Sequence, residues 1–244
     1  AQRRTRLRAI RSEGRSETMS SVMDFEKARF NMVEQQVRPW DVLDQSVLDL
    51  LFVVKREDFV PPLYRSLAFT DMEIPLKLDG VDTGESMWSP KMEARIVQEL
   101  AIKGHETVLE IGTGSGYLSA LLAHKGQQVV SVEIDPRLKA FADDNLARAA
   151  VRNARVHLGD ASRGWGEGAL YDVIVVTGSL PILPPRLREQ LRVGGRLAAV
   201  LGDEPAMSAD IVTRVDAASF DRVTLFETCV KALQNAERPS SFRF

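Results

Sequence analysis

One stretch restricts the fold of this chain more than any other: Val108-Leu109-Glu110-Ile111-Gly112-Thr113-Gly114-Ser115-Gly116-Tyr117. It opens as a short apolar run, the pattern of a strand buried on both faces of a parallel sheet. Three glycines at alternate positions then break it, and Leu118-Ser119-Ala120-Leu121-Leu122-Ala123 continues as a helix. A turn this tight calls for positive φ, which glycine adopts cheaply, and bare backbone lets a ligand come close. The helix start adds unpaired N–H groups. Strand, turn and helix make the first unit of a doubly wound α/β sheet, with the ligand site at the carboxyl edge of the strands.

The spacing narrows the ligand. A dinucleotide fingerprint reads G-x-G-x-x-G, whereas this chain has G-x-G-x-G with Glu110 two residues ahead of it. An acid there suits a ligand with a cationic amino group and opposes a pyrophosphate. The run resembles motif I of the class I S-adenosylmethionine (AdoMet) methyltransferases. That resemblance makes Glu110, Gly112, Gly114 and Gly116 candidate cofactor contacts.

Further strand–helix units follow. Gln128–Glu133 reads as a second strand, residues 137–150 as a helix, and Ala154–Leu158 as a third strand ending at Gly159-Asp160. A carboxylate at the end of the second strand, Glu133, can accept bonds from both hydroxyls of a ribose. Asp160, one strand further, can accept from an adenine amino group, with Gly159 beside it. Residues 171–178 read as a fourth strand whose edge, with Thr177, faces the sulfonium and the acceptor. Residues 187–191 read as helix, Gly194-Gly195 as a turn into a fifth strand, and 211–215 with 220–228 as a terminal antiparallel pair. The expected fold is therefore α/β: a Rossmann-like class I methyltransferase sheet with a terminal antiparallel β pair and an N-terminal helical extension.

Ahead of the sheet, residues 1–22 carry six arginines against two glutamates and read as a disordered basic arm. Residues 23–90 read as a helical and acceptor-loop region forming one globular unit with the AdoMet-binding domain at 91–244. Within it, Phe25, Ala28, Met32 and Val33 share a helical face. Arg38-Pro39 is expected to break that helix, because a residue before proline avoids the helical region. Asp41 or Asp44 can cap a second helix carrying Val47, Leu48, Leu50 and Leu51, and Trp40 reads as a hydrophobic anchor. Residues 63–90 read as irregular, with turns at Asp79-Gly80 and Gly84. Pro90 opens a helix with Met92, Ile96, Val97 and Leu100 on its apolar face.

Composition excludes several classes. A net charge of −2 gives no general attraction to nucleic acid. A single cysteine, Cys229, allows neither an internal disulfide nor a cysteine metal cluster, and His105, His124 and His157 lack metal-ligand spacing. No apolar run approaches the ~18 residues of a membrane span. A cytoplasmic, metal-free monomer is the expectation.

Several stretches together resemble one family, the protein-L-isoaspartate (D-aspartate) O-methyltransferases. They are Phe59-Val60-Pro61 with Tyr64, then Ala68-Phe69-Thr70-Asp71 and Ile74-Pro75, motif I through Tyr117, Ser131-Val132-Glu133, Gly159-Asp160, and Asp172 through Thr177. The similarity spans roughly residues 28–202. It implies AdoMet as cofactor and a carboxyl group as methyl acceptor, most simply the isoaspartyl residue of a damaged protein or peptide. The family carries a Gly-Gln-Thr-Ile-Ser-x-Pro run whose hydroxyl lies by the acceptor carboxyl group. Here the run is Gly84-Glu85-Ser86-Met87-Trp88-Ser89-Pro90. Trp88 falls where the hydroxyl belongs, and an indole offers one donor only. Either the loop shifts by one and Ser89 becomes the catalytic hydroxyl, or the acceptor has changed and Met87 and Trp88 cover a different, small-molecule acceptor. The resemblance also places Ser86 and Met87 among the cofactor contacts. For a phenol or enol acceptor a base would help more, and Asp71 and Lys91 are the candidates; Lys91, as a cation, can instead pair with an acceptor carboxylate. A third reading, an AdoMet-binding module without transferase activity, differs by binding cofactor without turnover.

Overall fold

A computed structural model describes residues 25–238 of the chain; the basic segment 1–22 lies outside the described residues. Seven strands form one sheet in the order β5-β4-β3-β6-β7-β8-β9. They are β3 (Thr107–Ile111), β4 (Gln128–Glu133), β5 (Ala154–Leu158), β6 (Tyr171–Leu180), β7 (Leu191–Asp203), β8 (Ala206–Arg214) and β9 (Phe220–Glu227). Neighbours from β5 through β7 run parallel, and β7–β8 and β8–β9 run antiparallel. Strand order reverses between β3 and β6, and a crevice opens there beyond the carboxyl ends of the strands.

Alternate residues of the central strands feed two cores. Val108, Val129, Val173 and Val175 pack under α3 (Pro90–Leu100), α4 (Tyr117–Lys125) and α5 (Pro136–Arg148). Leu109, Ile111, Ile174 and Val176 face the other way, under Leu187 of α6 (Pro185–Glu189) and the segment carrying Ala161 and Trp165. Burial on both faces is why these strands read as unbroken apolar runs. The sixth helix begins and ends two residues earlier than the sequence reading: Leu191 is already strand, paired with Tyr171, and the chain bulges through Gly194-Gly195 before Arg196 meets Val173.

The N-terminal region joins the first core. Helix α1 covers residues 25–32 and continues through a π turn, Val33–Val37, and a 3-10 turn, Arg38–Trp40. The expected break at Arg38-Pro39 does not occur, since Arg38 stays helical at φ −56° and ψ −44°. Its N–H reaches back to Val33. That widened turn precedes the proline, whose ring in a regular helix meets the carbonyl four residues back. The chain turns instead at Asp41, with φ 59°. Asp44 caps α2 (Gln45–Val53), accepting from Ser46 N–H at 2.8 Å, and Val47, Leu48, Leu50 and Leu51 are buried. Trp40 meets the Phe226 ring edge-on at 4.8 Å and lies under the Lys91 ammonium.

Residues 74–87, which lack a strand pattern, form a hairpin: β1 (Ile74–Leu78) pairs antiparallel with β2 (Val81–Met87). Asp79 and Gly80 both have positive φ, 49° and 81°, the two-residue turn that suits the twist of a hairpin. Pro75, the charged residues and Gly84 hide the alternation. Ile74, Leu76 and Met87 are nevertheless buried beneath it.

Candidate active site

The crevice at the switch point is a half-open cleft. Its floor is the carboxyl ends of β3, β4, β5 and β6. The hairpin contributes Leu76, Ser86 and Met87 to its wall, followed by Trp88, and residues 231–234 close the far side. Of the sequence candidates, Ser86, Met87, Glu110, Gly112, Gly114, Glu133, Gly159, Asp160 and Thr177 line it together. Gly116 is not in the lining; it is the residue before α4, in a left-handed conformation that starts that helix.

The glycine turn is clamped from two sides. Gly112 has φ 93°, and a Cβ on it would collide with the Thr177 hydroxyl. That hydroxyl donates to the carbonyls of Ile111 at 2.9 Å and Gly112 at 2.6 Å, fixing the β3 edge to β6. From the other side, Glu133 Oε2 accepts from Gly114 N–H at 2.9 Å, while Oε1 accepts from Ile134 and Asp135 N–H at 2.9 and 3.0 Å. Burial pushes the Glu133 carboxyl up, against the pull of these three bonds. These three bonds leave Glu133 one lone pair, on Oε2, for the cleft it lines.

Glu110 lies wholly buried behind the turn. Ser131 donates to its Oε2 at 2.6 Å, and Ser119 donates to the same oxygen. Burial, outweighing the two hydroxyls and reinforced by Glu133 and Glu93, raises its carboxyl to about 8. Oε1 is buried with no partner among the described residues. An orphan carboxylate oxygen lining a cleft is a fit for a cationic amino group. Asp160 is the contrasting acid. Burial pushes it up, but bonds from Ser162 N–H (2.9 Å) and Asn235 (2.8 Å), with Arg163 nearby, hold it below the usual carboxylate range. It stays ionised, an acceptor at the end of β5.

The wall beneath the hairpin is built differently. Arg56, buried in a 3-10 turn, pairs with Glu93 of α3 and donates to the Trp88 carbonyl at 2.6 Å. Its guanidinium stacks on the Tyr117 ring at 4.9 Å. Glu93 lines the cleft and is likewise raised by burial, against the Arg56 charge. Trp88 is itself buried and presents an apolar surface where the related sequence run carries a hydroxyl. Ser89 is placed elsewhere. It occupies the N-cap position of α3, where its carbonyl accepts from Met92 and Glu93 N–H, its side chain makes no capping bond, and it is not in the cleft lining. Asp71 and Lys91 pair with each other at 2.7 Å, with Lys91 over the Trp40 ring, and neither lines the cleft.

Sequence reasoning did not single out the segment that closes the site. Lys231 accepts from Ser179 N–H through its carbonyl at 2.9 Å, and Leu233 N–H donates back to Ser179 at 3.0 Å. This strap fits against β6 because residue 178 is glycine, where a Cβ would sit 2.8 Å from Leu233 N. Lys231 Nζ donates to Gly84 O at 2.8 Å and Glu85 Oε1 at 2.7 Å, and Gln234 adds 2.9 Å to the same carboxylate oxygen. Only the pairing of β6 with residues this far along the chain brings them there.

The model of the family described as "Protein-L-isoaspartate(D-aspartate) O-methyltransferase (PCMT)" matches residues 28–229. A protein-L-isoaspartate O-methyltransferase of Methanoculleus marisnigri is 40% identical over 189 residues, 78% of this chain and 83% of the relative. One from Rhodopseudomonas palustris is 39% identical over 202 residues, 82% and 78% of the two chains. A Plasmodium falciparum structure named for the same activity and solved with S-adenosyl-L-homocysteine superposes with a TM-score of 0.70 at 20% identity, covering 84% of this chain and 97% of that one. With the sheet order, the clamped glycine turn and the acids at consecutive strand ends, these matches place the chain in a known group: it belongs to the protein-L-isoaspartate (D-aspartate) O-methyltransferase family.

Proposed function

We propose that this chain is an AdoMet-dependent O-methyltransferase that esterifies a carboxyl group, that of L-isoaspartyl residues in damaged proteins and peptides. The observation that carries this is the conjunction, in one cleft, of the clamped Gly112–Gly114 turn, the buried orphan oxygen of Glu110, and acceptor carboxylates at the ends of β4 and β5, in a chain of this family. Glu110 would take the amino group, Glu133 the ribose and Asp160 the adenine amino group, with the backbone of Gly112 and Gly114, Gly159 and Thr177 shaping the floor and Ser86 and Met87 the roof. The bound cofactor supplies a methyl group on a sulfonium.

The chain's own task is positional. A carboxylate is already ionised at pH 7, so no strong general base is required. Transfer to oxygen is an in-line displacement, helped by holding the acceptor in line and removing its water. Met87 and Trp88, both buried at the cleft wall, exclude water from that end. Ser89 takes part in this reading only if the acceptor draws its hydroxyl in from the N-cap of α3. Trp88 in the hydroxyl's place favours a second reading, in which the same cofactor cleft serves a small-molecule acceptor that packs on the indole.

A single free cysteine suits a cytoplasmic setting. Among the described residues no helix is long and apolar enough to cross a membrane. The test is methyl transfer from labelled AdoMet to an isoaspartyl peptide, with the normal aspartyl peptide as control. Base-labile label on the isoaspartyl peptide alone is the expected result. Cofactor binding by calorimetry with no label on either peptide would sink the repair reading and leave the small-molecule acceptor or a non-catalytic module.

A further inference from the structure

An anionic acceptor meets a difficulty in this cleft. Its lining carries Glu73, Glu85, Glu93, Glu110, Glu133 and Asp160. Glu93 is partnered by Arg56 behind the wall, and Glu110 and Glu133 sit deep in the cofactor floor. Glu73 has no ion-pair partner among the described residues, and burial raises its carboxyl. The cofactor's amino group would offset Glu110 and its sulfonium would draw the acceptor oxygen, but Glu73, Glu85 and Asp160 still oppose an incoming carboxylate unless a protein cation helps to hold it. The Trp88 indole leaves the wall without the hydroxyl the related run places there.

Among the described residues lining the cleft, Lys231 is the one with a cationic side chain. We propose that Lys231 is the positioning residue that receives the acceptor carboxylate, an assignment that rests on the carboxyl-methyltransferase reading above. Three observations converge on it. Its main chain is fixed to the carboxyl end of β6 through Ser179, beside Thr177 and Gly178 of the cleft floor. Its ammonium reaches across to Gly84 and Glu85, on the hairpin strand that leads to Met87 and Trp88. An ammonium has three donors, and two are taken by Gly84 O and Glu85 Oε1, so one remains for an incoming oxygen. Glu85, also held by Gln234, sets where the ammonium points and tempers its charge. The side chain is 56% exposed, so substitution there leaves the core intact. Lys91, the cation that sequence order suggests, is spent on Asp71 outside the cleft.

The experiment compares wild type, Lys231→Met, Lys231→Arg and Glu85→Gln. Initial rates with an isoaspartyl peptide are one readout. Calorimetric binding of that peptide and of its isoasparaginyl amide counterpart, each with S-adenosylhomocysteine present, is the other. Losing a charge-assisted bond predicts that Lys231→Met raises KM for the isoaspartyl peptide about tenfold to a hundredfold, with kcat changed far less. Its preference for the carboxylate peptide over the amide disappears, and its affinity for S-adenosylhomocysteine is unchanged. Lys231→Arg restores most of the preference, and Glu85→Gln strengthens it. A Lys231→Met enzyme that keeps both KM and carboxylate preference within about twofold overturns the assignment, since a bond of this kind is worth more than that. A wild type that prefers the carboxylate peptide in binding yet transfers no methyl breaks the functional reading alone, and the binding arm then decides Lys231. A wild type with no such preference overturns Lys231 directly.

Discussion

The cleft has two halves made by opposite means. Along the ends of β3, β4 and β5, the floor comes from short runs in which strand, turn and helix follow one another, so the ligand-facing groups are local to the elements that hold them. Glu133 takes three backbone N–H groups within its own strand end and the adjacent turn. Beneath the hairpin, the wall is a meeting of distant segments: the 3-10 turn with Arg56, the hairpin, the start of α3, and the strap 231–235. A local floor is rigid before any ligand arrives. A wall of four segments depends on the bonds between them, and that is where this chain departs from its family's sequence run.

The sharpest way to break this contrast is at Gly112. With φ 93° and the Thr177 hydroxyl in the space of a Cβ, Gly112→Ala opens the join between β3 and β6. Strain of this kind is worth about 1–3 kcal/mol and the collision with the hydroxyl adds to it, so AdoMet affinity is expected to fall by about a hundredfold by calorimetry. Thr177→Ala in the same background removes the collision but not the backbone strain, and should recover only part of the loss. Affinity within tenfold of wild type in the single variant shows the floor to be softer than its bonding suggests.

Next in size is Arg56, which joins the wall to the floor by bonding Glu93 and the Trp88 carbonyl and stacking on Tyr117 of α4. Arg56→Met leaves Glu93 buried without its cation, a change expected to cost about 3–5 kcal/mol in urea unfolding. Adding Glu93→Leu should return much of it, because a buried pair replaced whole by apolar groups is often neutral. If the double variant is no more stable than the single, the carbonyl bond to Trp88 is the dominant part of the join.

Glu110 tests the floor by pH. Its carboxyl is raised to about 8 in the folded chain by burial, against about 4.3 unfolded. The folded state therefore holds a proton the unfolded state has lost. The stability this contributes is fully present below about pH 4 and is lost as pH rises through about 8. Glu110→Gln should flatten the fall of Tm between about pH 5 and 8. A cationic amino group beside the carboxylate favours its ionised form, so cofactor binding should release a proton below pH 8. That release is read as a dependence of calorimetric heat on buffer ionisation enthalpy, and it vanishes in the glutamine variant.

What the sequence could show follows the same division. The turn, the succession of strands along the chain and the position of the acids at 110, 133 and 160 beside the cleft were legible because each lies within a few residues of the element that positions it. The hairpin was not, because Pro75, Lys77, Asp82 and Gly84 break the alternation that marks a strand, although the Asp79-Gly80 pair that turns it is a known hairpin signal. Lys231 was invisible for a different reason. Its partner Gly84 is 147 residues away, and no local pattern encodes that approach. The π turn before Pro39 shows a third limit: a rule about proline held for a regular helix, and the chain changed the helix.

The smallest effect is expected at Ser89, and it bears most directly on how the wall works. The hydroxyl lies one position beyond Trp88, at the N-cap of α3, but makes no capping bond and is outside the cleft lining. The usual cost of losing an N-cap residue, about 1 kcal/mol, comes from the side-chain bond it makes; here there is none to lose. Ser89→Ala should therefore leave Tm, cofactor affinity and methyl transfer close to wild type, with kcat/KM within about twofold, well under a single charge-assisted bond. A tenfold or greater fall in transfer with cofactor affinity intact gives the other answer. The start of α3 then has to unwind toward the acceptor to bring that hydroxyl into the cleft, breaking the 3.1 Å and 3.2 Å bonds from Met92 and Glu93 N–H to its carbonyl. In that case the wall is completed by the acceptor itself, while the floor is complete without it.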